Sequence, residues 1–280
     1  MVPRKEKYVN LSKQSAFLLY AMMALSARYS TSSYFTDVLE KDRGAWFMRK
    51  LVKLSDDLVS FISTEVPSLP LLQACILIAY YHRSCNPPND AKKLVELCLR
   101  IADQLDLHSV DKPPSDQARG EINTTAEHEF IAMEEKRRAW WSLWELDALE
   151  SILNRCPSGI SLDKVHVRLP MPDEAWFTEK PEIAPMFSFE ISSCWTALKG
   201  SVQHERAWSL VSNYILVQAF ALTRQSVVHK KAVDELEMVV TCFSLLFYEK
   251  LRSSVNNLKF DKDNYAGSNW LILAQLMMQS

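Results

Sequence analysis

Glycine is scarce, at 5 in 280 residues. Loops that cradle phosphates lean on glycine for left-handed turns and close backbone approach. Neither a G-x-G-x-x-G loop nor a P-loop occurs, and G-x-S-x-G is absent too. Paired cysteines are also lacking. Cys75, Cys85, Cys98, Cys156, Cys194 and Cys242 contain no CxxC, whereas a binuclear zinc cluster needs closely spaced thiolates. The thiols lie mostly in apolar helical contexts and read as reduced core residues. His128-Glu129 lacks the second histidine of HExxH, because Ala132 stands there. No metal or cofactor is expected.

An excess of one charge is missing as well. The chain has 32 Lys plus Arg against 34 Asp plus Glu, a net charge of −2. A short basic stretch near the start, Arg4, Lys5 and Lys7, is interrupted by Glu6. A nucleic-acid reader carries a basic face, because phosphate contacts dominate its affinity, so DNA reading by this chain is not expected. The longest apolar run, Leu71–Tyr81, contains Gln73 and falls short of the roughly 20 residues that span a bilayer. Residues 1–13 are polar and hold no signal-peptide core. The expectation is a soluble, intracellular chain. The acidic groups Asp56-Asp57, Asp234-Glu235-Leu236-Glu237 and Asp261-Lys262-Asp263 do not match an aspartate-rich magnesium helix and read as solvated faces.

What the sequence does hold is helical periodicity. Helices are predicted over about 14–30, 38–63, 71–83, 91–107, 125–154, 202–230, 232–252 and 270–278. Leu18, Ala21, Met22, Leu25 and Tyr29 mark the first, and Leu94, Leu97, Cys98, Ile101 and Leu105 the fourth. The third is apolar on nearly every side and should be buried. Pro67 and Pro70 are read as breakers, 86–89 as a turn, and 109–124 as an exposed polar loop. Between 155 and 200 the prolines preclude a long helix, and Val165, Val167 and Leu169 alternate with His166 and Arg168 as an extended piece would. The expected fold is all-α: a polar segment 1–13, then one irregular multi-helix domain over 14–280. A Pro-rich connector near 155–200 is where two lobes would part. The apolar final helix suggests a C-terminus cut inside a domain, or one that borrows a partner surface.

The most informative stretch is Glu134-Glu135-Lys136-Arg137-Arg138-Ala139-Trp140-Trp141-Ser142-Leu143-Trp144-Glu145-Leu146-Asp147. On a helix, Arg137, Trp140, Trp141 and Trp144 share one side, and Glu134 can pair with Arg138 at i+4. Tryptophan buries a large area but wants a partner for its indole N–H, and an arginine can stack on its ring. These residues read as a helix-packing centre with buried ion pairs. The sharper alternative is a small-molecule cavity edged by Trp140 and Trp144.

Glu135 through Trp141, with Leu143 and Asp147, resembles the E-x-R-R-x-W-W…D signature of the fungal-specific transcription factor domain. That domain is the middle homology region of fungal zinc-cluster regulators. Four further segments follow in the family's order. They are Leu18–Ser30, Pro67–Ala74, Ile101–His108, and Pro157-Ser158-Gly159-Ile160 followed by Val167-Arg168-Leu169-Pro170. Asp106 stands where the family has Gly, and Cys156-Pro157-Ser158 replaces Gly-Arg-Pro. The resemblance implies Arg137, Arg138, Trp140, Trp141, Trp144, Asp147, Gly159 and Pro170 as signature positions. It further implies a nuclear regulator of RNA polymerase II transcription whose zinc-cluster DNA-binding module is not in this chain, so that DNA is reached only indirectly. Transcription machinery, co-regulator proteins and a small-molecule effector are the implied partners. A stand-alone helical sensor or partner-binding protein is the alternative function, and a helical enzyme a third, which the missing catalytic patterns disfavour.

Overall fold

The computed structural model describes residues 11–51, 53, 67–85, 89–112, 126–178, 180, 182–199, 205–254 and 265–279. Among these the regular structure is helical, with a single antiparallel bridge between Arg168 and Met186. The chain divides into two compact units, Met1–Leu107 and His108–Ser280. The division therefore falls after residue 107, and the Pro-rich stretch lies inside the second unit. No helix among the described residues is long and apolar enough to cross a membrane.

In the first unit, α1 spans Lys13–Ser26, with the Ser12 side chain accepting from the Ser15 amide at its N-terminus. A 3-10 turn over Ala27–Tyr29 ends it. The next helix, α2, is described over 45–51 and starts later than the sequence predicts. Arg43 explains the delay. Its guanidinium donates to the Val38 carbonyl at 3.1 Å and to the Ser30 carbonyl at 2.9 Å, pinning 28–43 into turns. Residues 54–63 of the predicted helix lie outside the described residues. Gly44 is required where it stands, since a Cβ there would lie 2.2 Å from the Ala24 carbonyl oxygen and 2.7 Å from the Tyr81 ring.

Helix α3, Leu69–Cys85, packs on α1 and on α4, Asn89–Gln104. Pro70 sits in the first turn of α3, where its missing N–H costs no helical bond; it does not break the helix. Leu71, Leu72, Ala74, Cys75, Ile78 and Ala79 are buried, as an all-round apolar helix requires. On α4 the buried line is Val95, Cys98, Ile101 and Ala102. Leu94, Leu97 and Leu105 flank it at intermediate exposure.

The second unit contains α5 (Ala126–Leu153), the short α6 (Asp173–Phe177), α7 (Glu205–Thr223), α8 (Lys230–Ser254) and α9 (Tyr265–Gln279). Helix α7 packs against α5, α8 and α9. Trp208 of α7 meets Phe243 and Phe247 of α8, with ring centroids 5.7 and 5.6 Å away. The extended piece 165–171 runs beside α5. It buries Val165, Val167, Leu169 and Met171 and leaves His166 exposed, matching the predicted alternation. Its backbone pairs on one side with the residues after Leu107, where the His166 amide donates to the His108 carbonyl at 2.7 Å. On the other side the Leu169 amide donates to the Pro185 carbonyl at 3.0 Å.

Candidate functional site

Five acidic side chains and three arginines of the second unit organise the surroundings of α5. Glu134 is 1% exposed. Its carboxylate accepts from Arg138 Nε at 3.0 Å, Arg137 Nη1 at 3.2 Å and the Met171 amide at 3.0 Å. Burial raises its carboxyl above the ordinary value, against the pull of Arg138, the Met171 amide and Arg137. Arg137 also grips Asp111 with two nitrogens, Nε at 2.8 Å and Nη2 at 2.6 Å. Burial works against its charge, but the bond to Asp111 and then Glu134 outweigh it, so Arg137 rises above its usual value. Asp111 accepts the Arg168 amide at 2.8 Å. Arg138 reaches the other way, to Asp173 at 2.6 Å and the Met171 carbonyl at 2.9 Å, and lies over the Trp176 ring at 5.2 Å. The ion pairs thus tie 111, 168, 171 and 173 to one turn of α5.

Trp141, 1% exposed, continues the same edge one turn on and donates its indole N–H to the Arg168 carbonyl at 2.7 Å. Its ring packs edge-on against Trp144 at 5.6 Å and Phe187 at 5.7 Å, and lies nearly parallel to Phe189. Tyr214 of α7 joins this cluster and donates to the Phe189 carbonyl, and burial pushes its phenol up. A further turn along, Asp147 is buried and accepts the Gly159 amide at 3.0 Å and the Ser158 hydroxyl. Pro170 is buried between Leu169 and Met171. On another face, Arg206 of α7 pairs with Glu145 at 3.1 Å, donates to Ser142 at 2.8 Å and lies over Trp270 of α9 at 5.4 Å. Burial raises the Glu145 carboxyl, with Arg206 opposing.

Arg138 and Trp141 therefore bond directly to the extended stretch that carries Pro170, and Arg137 reaches it through Asp111. Asp147 holds Gly159 at a separate point of α5, on the opposite side from Arg138, and Trp144 packs on the Trp141 ring. Trp140 does not join them. It is buried, and its indole N–H has no partner among the described residues. Arginine stacking also falls on rings other than those expected: Arg138 on Trp176, Arg206 on Trp270 and Arg137 over Phe130. Asp111 overturns the reading of 109–124 as exposed loop at its described end, since its side chain is 5% exposed. Sequence reasoning also missed Arg206, which is 61 residues from Glu145 and visible only in three dimensions. A cavity of about 420 Å³ beside α5 is an open groove walled by Trp144, Ala148, Pro157, Ile160, Val217 and Phe220. Trp140 does not line it.

Chemically, this arrangement holds backbone in place. Glu134, Asp111 and Asp147 each accept from a backbone amide, and the first two are also matched by guanidinium groups. Residues 4–195 match the fungal specific transcription factor domain. The chain belongs to this family. Its transcription factor domain is 28% identical to the pigment biosynthesis transcriptional activator pigB of Monascus ruber, over 63% of this chain and 32% of that protein. It is 28% identical to the ascochitine biosynthesis cluster transcriptional regulator of Didymella fabae, over 64% of this chain and 29% of the other. With the tropolone cluster transcription factor tropK of Talaromyces stipitatus it shares 26%, over 66% and 31%. The chain thus spans about a third of the length of these relatives, and these relatives are transcription regulators by name. No solved structure matches it.

Two features of this fungal transcription factor domain take meaning from the geometry. Asp106 adopts φ 51°, a left-handed conformation that suits Gly, which is the residue the family pattern has there. Arg155, at φ 50°, closes α5. The Cys156 amide donates to the Ser151 carbonyl at 3.1 Å and the Arg155 amide to the Ile152 carbonyl at 3.4 Å, a Schellman ending.

Proposed function

We propose that the chain is a control region of a fungal regulator of RNA polymerase II transcription, working through protein contacts and not through catalysis or DNA reading. The match to the fungal specific transcription factor domain over 4–195 carries this reading. The near-neutral charge supports the absence of DNA reading, and the full pairing of Glu134 and Asp111 supports the absence of catalysis at the signature. In this reading Arg137, Arg138, Trp141, Asp147, Gly159 and Pro170 are scaffold, and the protein acts in the nucleus on transcription machinery or a co-regulator. Relatives named for pigment, ascochitine and tropolone biosynthesis support a biosynthetic gene cluster as the target. The test is to tether the chain to a heterologous DNA-binding module beside a reporter gene. The expected result is a changed reporter output, with no specific DNA binding by the untethered chain in a gel-shift assay. An unchanged output contradicts the regulatory role, and a specific shift contradicts the rest.

A second reading has one observation in its favour, the groove beside Trp144 with Gln218 and Arg224 among its polar groups. An apolar effector with one polar end would fit such a place. Trp fluorescence against a metabolite panel tests it, and a response that Phe220→Ala abolishes would support it. A flat response across the panel would count against it.

A further inference from the structure

Helix α8 has two unlike faces. Val239, Phe243 and Phe247 are buried, the last two around Trp208. The opposite face exposes Met238, Leu245 and Tyr248 at 53%, 65% and 67%. With Asp234, Thr241 and Arg252, also exposed, they form one line: 234, 238, 241, 245, 248, 252. The steps alternate four and three, the spacing of a coiled-coil seam. Met238, Leu245 and Arg252 occupy one heptad position, and Asp234, Thr241 and Tyr248 the other.

We propose that this seam binds a second copy of the chain as an antiparallel pair of α8 helices. The symmetry of the line argues for that occupant. In an antiparallel pair each position of the first kind meets one of the second. With the two-fold axis beside Phe243, Met238 meets Tyr248 of the other copy, Leu245 meets Thr241, and Arg252 meets Asp234. The seam is acidic at one end and basic at the other, at equal distance from its centre, so the antiparallel copy matches both charges. A parallel copy would set Asp234 on Asp234 and Arg252 on Arg252. Met against an aromatic ring adds a favourable contact. Glu235 and Glu249, beside the seam, face one another across the pair and oppose it, so the association is weak and reversible.

Sedimentation equilibrium of the 280-residue chain across a concentration series tests the proposal. The expected result is a reversible monomer–dimer equilibrium. Leu245→Glu leaves a monomer with unchanged circular dichroism. Asp234→Arg alone or Arg252→Asp alone sets like charges together at both ends and weakens the dimer roughly tenfold or more. Asp234→Arg with Arg252→Asp restores it, which parallel pairing would not require. Both charge positions are exposed, so these variants keep the fold. A monomer at every concentration, or a dimer indifferent to the charge reversals, overturns the proposal.

Discussion

Replacing Arg137 with Ala removes both nitrogens that hold Asp111 and the one that reaches Glu134. Asp111 and Arg137 have side chains 5% and 10% exposed, so water cannot take the place of the lost partner. Removing one member of a buried pair costs about 3–5 kcal/mol, and the partly exposed Arg168 guanidinium, 3.9 Å from Asp111, replaces only part of what Arg137 supplies. Asp111→Ala should cost a similar amount, since it also strands the Arg168 amide. The two losses should not add. The double variant should fall short of the sum by about 1–3 kcal/mol, as expected for groups in direct contact. Urea unfolding followed by tryptophan fluorescence reads the correct unit. Trp46 lies in the first unit, whereas Trp140, Trp141, Trp144, Trp176, Trp195, Trp208 and Trp270 lie in the second. At an m-value of about 2 kcal/mol/M, a loss of ~4 kcal/mol lowers the midpoint by about 2 M. Single losses under about 1 kcal/mol, or strict additivity, would refute the clamp.

Gly44→Ala should destabilise the first unit by about 1–3 kcal/mol, seen as a lower midpoint in Trp46 fluorescence, because its Cβ would meet the Ala24 carbonyl at 2.2 Å. An unchanged midpoint contradicts the close approach. Arg155→Gly should raise the stability of the second unit by about 1 kcal/mol by relieving the left-handed strain at φ 50°, and a lower melting temperature would speak against it. Burial pushes the Cys194 thiol up to about 11 from an ordinary 9.0. The folded state then holds this proton where the unfolded chain releases it. Its contribution is therefore complete below about pH 9 and declines as pH rises through 11, by roughly 2–3 kcal/mol in all. Cys194→Ala should make that alkaline decline shallower; an identical slope would contradict the assignment.

Sequence patterning reached α3, α5 and α8 within a few residues, because each carries a long apolar pattern that its packing uses. It overran the start of α2, where Arg43 bonds to three carbonyls and holds the chain in turns. No periodicity records such a contact. It extended α7 to residue 230, although the helix ends at Thr223. At the site, the Glu134–Arg138 pair followed from i, i+4 spacing. Asp111 was hidden in a polar stretch ahead of Pro113 and Pro114, where a buried ligand of Arg137 and a solvated loop residue look alike. Trp140 and Trp141 are adjacent and chemically equal in sequence, so only the fold tells which indole finds a carbonyl. Of the two departures flagged in the sequence, Asp106 sits at a left-handed φ of 51°, the conformation that favours the family's Gly there.

Amide hydrogen exchange at Arg168, Met171 and Gly159 tests most directly whether the signature residues act as a scaffold. These amides donate to Asp111, Glu134 and Asp147 at 2.8, 3.0 and 3.0 Å. In the wild-type chain all three should exchange slowly. Arg137→Ala should speed Arg168 and Met171 while leaving Gly159 protected, and Asp147→Ala should do the reverse. Rapid exchange of all three in the wild-type chain, or no response to either substitution, would contradict the claim that this stretch of α5 holds the neighbouring backbone in place.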